Sequence, residues 1–64
     1  MALELKVPTM DSSEAAKYIK DTILTSEPDA RVDIDLEQKM IMVEAKASEA
    51  TIRQLITAAG YKIA

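Results

Sequence analysis

The sequence contains no cysteine and no histidine among its 64 residues. Without cysteine the chain forms no disulfide, and this composition is typical of proteins from a reducing compartment such as the cytoplasm. The two absences also remove the usual nucleophiles, general bases and soft-metal ligands. Ser12 and Ser13 have no neighbouring base, and no phosphate-binding glycine loop is present. We therefore expect that the protein is not an enzyme.

Aromatic residues, positive charge and long apolar runs are also scarce. Tyr18 and Tyr61 are the only aromatic residues, and the formal net charge is −3. Nucleic-acid binding is not expected, because it needs clustered Lys and Arg or aromatic residues that stack on bases. No apolar run approaches the ~20 residues that span a bilayer, and the amino-terminal segment lacks the apolar region of a signal peptide. We expect one acidic domain, residues 1–64, in the cytoplasm and without membrane insertion.

The first part of the chain predicts a strand followed by a helix. Residues 3–7 alternate apolar and charged side chains, as a half-buried strand does. Asp11, Ser12 and Ser13 can each cap the helix that follows, and Asp11 with Glu14 resembles a capping box. Apolar residues then recur at helical spacing, which predicts a helix with one buried face.

The middle of the chain predicts a hairpin. The first helix is expected to end near Leu24 or Thr25, before the breaker cluster 26–29. Residues 32–36 and 40–44 both alternate apolar and other side chains on either side of a polar turn. They are predicted to be two half-buried antiparallel strands.

The last third predicts a second helix and a final strand. Ser48 can cap a helix whose apolar stripe runs from Ile52 to Ala59. Gly60, the only glycine, follows where a helix terminus favours positive φ. Residues 61–64 are then predicted to form a short strand.

The predicted order is βαββαβ, which leads to an α+β, ferredoxin-like sandwich. We expect four antiparallel strands in the order 4-1-3-2, with both helices on one face of the sheet. The inward-facing residues then form one core: Leu3, Leu5, Val7, Ile19, Ile23, Val32, Ile34, Ile41, Val43, Ile52, Leu55 and Ile56.

Three segments resemble a known family. The runs V-P-T-M at 7–10, V-D-I-D-L at 32–36 and A-A-G-Y at 58–61 are similar to the heavy-metal-associated domain, and in particular to small cyanobacterial copper chaperones. The resemblance covers essentially the whole chain. It implies a loop M-x-C-x-x-C in which two thiolates hold Cu(I), for which soft sulfur is a good partner.

The positions of that loop are filled differently here. The resemblance places Met10 at the methionine and Ser12 and Ala15 at the two cysteines, so no thiolate is available. We therefore expect no metal and no cofactor at this degenerate loop. The resemblance also implies that Tyr61 lies beside the loop, where it packs against it.

Two groups of residues remain as candidate sites. Asp11, Ser12 and Glu14 could form an oxygen site for a hard cation, but capping of the helix explains the same residues. Met40 and Met42 alternate with inward-facing residues, so both are expected on the open face of the sheet. They could bind Cu(I) weakly, form an adaptable contact patch, or have no role.

Two functions follow from the resemblance. The first is a protein-interaction or regulatory module without thiolate ligands, docking through Met10, Asp11, Ser12, Ser13, Glu14, Ala15 and Tyr61. The second is a heavy-metal transport or detoxification protein that binds metal through non-cysteine ligands or with a partner chain. The implied partners are another heavy-metal-associated domain or a metal-transporting ATPase, and a homodimer is compatible with either function.

Overall fold

Five elements make up the computed structural model, which describes residues 2–64. They are β1 (Ala2–Lys6), α1 (Ser13–Ser26), β2 (Arg31–Asp35), β3 (Met40–Glu44) and α2 (Glu49–Ala58). The strands form an antiparallel sheet in the order β1-β3-β2. The predicted arrangement of two helices on one face of an antiparallel sheet is therefore confirmed.

The register of the sheet places the alternating apolar residues in rows. Val43 lies opposite Leu3 on one side and Val32 on the other, and the next inward row is centred on Ile41. Side chains of successive residues point to opposite faces, so the intervening positions form an open, exposed face. The period-2 pattern in the sequence thus decides which residues enter the core.

The core agrees closely with the predicted set. Ten of the twelve predicted residues are buried, while Ile34 and Leu55 are only half-buried and pack at the periphery. Ile34 lies on β2, an edge strand of the sheet. Met10 and Ala15 join the core as well. No polar or charged side chain is buried among residues 2–64.

The predicted fourth strand is wrong. Residues 61–64 form no strand, and within residues 2–64 the sheet has three strands rather than the four predicted in the order 4-1-3-2. Ala64 donates one backbone hydrogen bond to the Lys6 carbonyl (2.9 Å). Lys62, however, donates its N–H to the Thr9 hydroxyl (3.0 Å) and not to a strand carbonyl. A ladder needs repeated backbone pairs, which this segment does not make.

The amino terminus of α1 is capped by Ser12. Its backbone is extended (φ −151, ψ 160), and its Oγ accepts a hydrogen bond from the Ala15 N–H at 3.1 Å. The predicted capping box of Asp11 with Glu14 is wrong, because Asp11 lies one residue before the cap. The helix reaches Ser26, one residue beyond the predicted end.

Helix α2 begins and ends as the sequence predicts. Ser48 caps it and accepts a hydrogen bond from the Thr51 N–H at 3.3 Å. Gly60 has φ +101, with its N–H donating to Thr57 (3.0 Å), and the Tyr61 N–H donates to Ile56 (3.3 Å). These two bonds form a Schellman motif, which turns the chain away from the helix axis.

None of the helices in the described part is long and apolar enough to cross a membrane.

Replacing the capping serine of α1 tests this local geometry. Ser12→Ala should lower the free energy of unfolding by about 1 kcal/mol, because the Ala15 N–H loses its acceptor. Ser13→Ala is the matched control, since Ser13 is exposed and is the first helical residue. Urea denaturation of both variants measures the difference, and a larger loss for Ser13→Ala would contradict the assignment of the cap.

Candidate functional site

The loop between β1 and α1 is held at both ends by buried side chains. The Val7 N–H donates to the Lys39 carbonyl at 2.8 Å, and the Met10 N–H donates to the Val7 carbonyl at 3.0 Å. This second bond closes a turn with Pro8 in its second position, where the fixed φ of proline is favourable. Val7 and Met10 are both fully buried. The loop is therefore anchored to the core on either side of an exposed Pro8–Thr9 tip.

Ser12 and Ala15 meet directly at the start of α1. The Ser12 Oγ accepts the Ala15 N–H, so one of its lone pairs is committed to the helix cap. Ala15 is only 8% exposed, and its methyl group is part of the core. Ser12 and Ala15, where the resemblance places the two cysteines, thus form a helix cap and a core contact.

Cu(I) does not fit this pair of residues. A serine hydroxyl is a neutral, hard oxygen with low affinity for a soft ion, and alanine offers no donor atom. Asp11 and Glu14 are exposed, and no group of three or more His, Cys, Asp or Glu that could hold a metal occurs in residues 2–64. Glu14 lies in the first turn of α1, where a carboxylate stabilises the positive end of the helix dipole.

The residue that follows Tyr61 is bonded to this loop. The hydrogen bond from the Lys62 N–H to Thr9 Oγ1 attaches the carboxyl-terminal segment to the loop tip. The Tyr61 ring is half-buried against the core, and its centroid is 6.4 Å from that of Tyr18 at an interplanar angle of 49°. Such a tilted pair is a favourable aromatic arrangement.

Sequence reasoning missed two residues near the loop. Tyr18 is 54% exposed and packs on Tyr61; its position three residues after Ala15 on the helix is the signal that could have placed it there. Lys39 has φ +58 in the turn between β2 and β3, and its Nζ donates to the Pro8 carbonyl at 3.2 Å. No local pattern in the sequence indicates that long-range contact.

Met40 and Met42 lie away from Met10. Both are on the open face of the sheet, as their alternation predicts, with Met42 48% exposed and Met40 half-buried. Met10 is in the core on the helix side. The structure therefore does not bring the three thioethers together.

Comparisons with known proteins agree with this geometry. No family profile and no curated protein matches the sequence. Among solved structures, the copper chaperone Atx1 from Synechocystis PCC6803, in a trimeric form with a histidine-to-tyrosine replacement, has a TM-score of 0.94 and 26% identity, over 97% of this chain and 98% of that one.

Two further structures are similar over nearly their whole length. Atu1203 from Agrobacterium tumefaciens is 33% identical over 94% of each chain, with a TM-score of 0.87. Oxidized MerP from Ralstonia metallidurans CH34 is 25% identical over 100% of this chain and 93% of that one, with a TM-score of 0.84. The protein belongs to the heavy-metal-associated domain family and is similar to copper chaperones, and its sequence contains no cysteine.

Proposed function

We propose that this domain is a protein-interaction or regulatory module of the copper-chaperone type that carries no metal on thiolates. The observation that supports the proposal is the hydrogen bond between Ser12 Oγ and the Ala15 N–H. It uses Ser12 and Ala15, where the resemblance places the two cysteines, to stabilise α1, and the scaffold also has a buried Met10 and a half-buried Tyr61. A cytoplasmic location is part of the proposal, because the chain has no cysteine to oxidise.

The docking surface in this proposal is called the loop end. It consists of the exposed residues Asp11, Ser12, Ser13 and Glu14 together with the half-buried Tyr61, above the buried Met10 and Ala15. The cap of α1 and the Schellman motif after α2 hold these residues in place. The partner would be another heavy-metal-associated domain, such as that of a metal-transporting ATPase.

The alternative is transport or detoxification of a heavy metal through non-cysteine ligands or with a partner chain. Similar structures named as a copper chaperone and as a gold-binding protein favour this alternative. The ligands would be the thioethers of Met40 and Met42, or donors from a second chain in a homodimer or heterodimer. Competition for Cu(I) separates the two functions.

The purified protein should lose all Cu(I) to a strong chromogenic chelator at a stoichiometric ratio. The reason is that neither Ser12 nor Ala15 offers a soft donor. The absorbance of the chelator complex should equal that of a protein-free solution. Retention of Cu(I) would overturn the proposal, and the variant Met40→Leu with Met42→Leu would then show whether the thioethers are the ligands.

Restoring both thiols should restore tight Cu(I) binding. In Ser12→Cys with Ala15→Cys, two sulfurs lie at the start of α1, where the helix dipole stabilises thiolates. Cu(I) should then remain on the protein in the same competition. The cost in stability should be about 1 kcal/mol, because the Ser12 cap is lost.

The single variants Ser12→Cys and Ala15→Cys are the matched controls for this experiment. Each supplies one thiolate at the same place, so each should bind much more weakly than the double variant. A folded double variant that binds no better than the single variants would show that the two positions do not form the metal loop.

A titration with a partner domain tests the loop end directly. When the ¹⁵N-labelled protein is titrated with a soluble heavy-metal-associated domain of a metal-transporting ATPase, the largest amide shifts should fall at 11–14 and Tyr61. Ser13→Arg should weaken binding about fivefold or more, because it adds a bulky charge at the centre of the surface. Ser26→Arg, at the opposite end of α1, should have no effect. Shifts confined to other regions would contradict the loop end as the docking surface.

A further inference from the structure

The open face of the sheet presents a large apolar side chain at its centre. Met42 is in the middle of β3, which is the central strand. Its side chain is 48% exposed. Among residues 2–64, Met42 and Tyr18 are the two large hydrophobic residues that are exposed. The exposed face of an antiparallel sheet commonly carries polar residues, so Met42 is an apolar side chain among mostly charged neighbours.

Two carboxylates flank Met42 on the neighbouring strands. Glu4 of β1 and Asp33 of β2 are its direct cross-strand partners. Side chains in such pairs have Cβ atoms about 5 Å apart, so both carboxylates border the thioether. Within residues 2–64, neither carboxylate forms an ion pair. The salt bridge found there joins Arg53 and Glu49 on α2.

A shallow depression runs from Met42 toward the turn between β2 and β3. Its volume is ≈ 220 Å³, and its lining combines the thioethers of Met40 and Met42 with the carboxylates of Glu4, Asp33 and Asp35. Methionine adapts its shape to the group that contacts it. The depression therefore offers an apolar floor with negative charge along its sides, and the two cationic side chains of the same face, Lys6 and Arg31, lie outside its lining.

The chemistry of this surface matches a lysine or arginine side chain. Both have an aliphatic stem that packs along apolar surface and a cationic end that stays near water. A stem on Met42 would bring its cationic end to the carboxylate of Glu4 or Asp33, and charge-assisted hydrogen bonds are stronger than neutral ones.

The size of the face favours a short segment as the ligand. Strands of five residues give a length of about 17 Å, and three strands span about 10 Å between the outer strands. The area of this face, on the order of 200 Å² from these two lengths, is well below the ~800 Å² per partner that a stable protein dimer buries. A second copy is also disfavoured by charge, because the chain has a net charge of −3.

A shared metal ion does not fit the same residues. The backbones of Glu4 and Asp33 are two strand spacings apart, about 10 Å, with Met42 between them. Oxygen ligands bind hard cations at about 2.0–2.6 Å, so the intervening side chain would have to move away.

We propose that the open face, centred on Met42 between Glu4 and Asp33, binds an extended basic segment of a partner protein. The open face shares no residue with the loop end. An experiment can therefore disprove binding at one surface and leave binding at the other unaffected. The segment lies across the three strands with a Lys or Arg stem on Met42 and its cationic end at the flanking carboxylates.

A pair of matched peptides tests this proposal. One probe is a capped peptide of alternating Lys and Leu residues, and the other has Glu in place of each Lys. At low ionic strength the basic peptide should shift the amides of β1, β2 and β3 around Met42, and the acidic peptide should not. Binding should weaken as salt is added, because exposed charges are screened.

Matched variants identify the residues that act. Asp33→Asn should weaken binding of the basic peptide about threefold, while Asp21→Asn, which removes the same charge from an exposed position on α1, should not. Met42→Thr should also weaken binding about threefold or more, because the apolar floor is lost. Circular dichroism confirms that these surface variants are folded.

Several outcomes would overturn the proposal. They are equal binding of both peptides, shifts confined to the loop end, and insensitivity to both Asp33→Asn and Met42→Thr. Shifts at Met42 that depend on protein concentration without peptide would show a second copy as the occupant instead. Shifts of the Met40 and Met42 methyl groups with Ag(I) but not with the basic peptide would show a soft-metal site.

Discussion

The single apolar layer between the sheet and the two helices is the constraint on which the rest of this structure depends. A chain of 64 residues buries a limited fraction of its surface, and this one has no disulfide to constrain its unfolded state. The layer contains twelve buried side chains and no buried polar group within the described residues. Burial of apolar surface must therefore supply most of the stability, with helix caps and turn bonds adding smaller amounts.

The candidate metal loop is best understood as part of that layer. Met10 and Ala15 are buried in the core, and Ser12 lies between them with its hydroxyl on the first turn of α1. Serine is among the preferred helix caps, so Ser12 stabilises the start of α1 and offers no soft ligand. The scaffold of a metal carrier can thus persist for reasons that have nothing to do with metal.

The two candidate surfaces differ in how they are built. The loop end depends on tertiary contacts to the segment that precedes it. The Lys39 Nζ donates to the Pro8 carbonyl, and the Lys62 backbone N–H donates to the Thr9 hydroxyl. The open face depends on strand register, which sets Glu4 and Asp33 on either side of Met42. A small domain of this kind can present both surfaces because the core uses only one face of the sheet. The proposed roles of the two surfaces are therefore physically independent.

The sequence alone determined the three strands of the sheet, both helices and most of the core, because alternating and helical periodicities are local properties of the chain. It also determined the loss of thiolate chemistry, since that depends only on residue type. The tertiary structure decided what depends on contacts between distant residues. It left residues 61–64 outside the sheet, where the Lys62 backbone N–H donates to the Thr9 hydroxyl. It left Ile34 half-buried on an edge strand. It also brought Tyr18 against Tyr61 and two carboxylates beside Met42, positions that no local pattern specifies because they arise only when separate elements pack together.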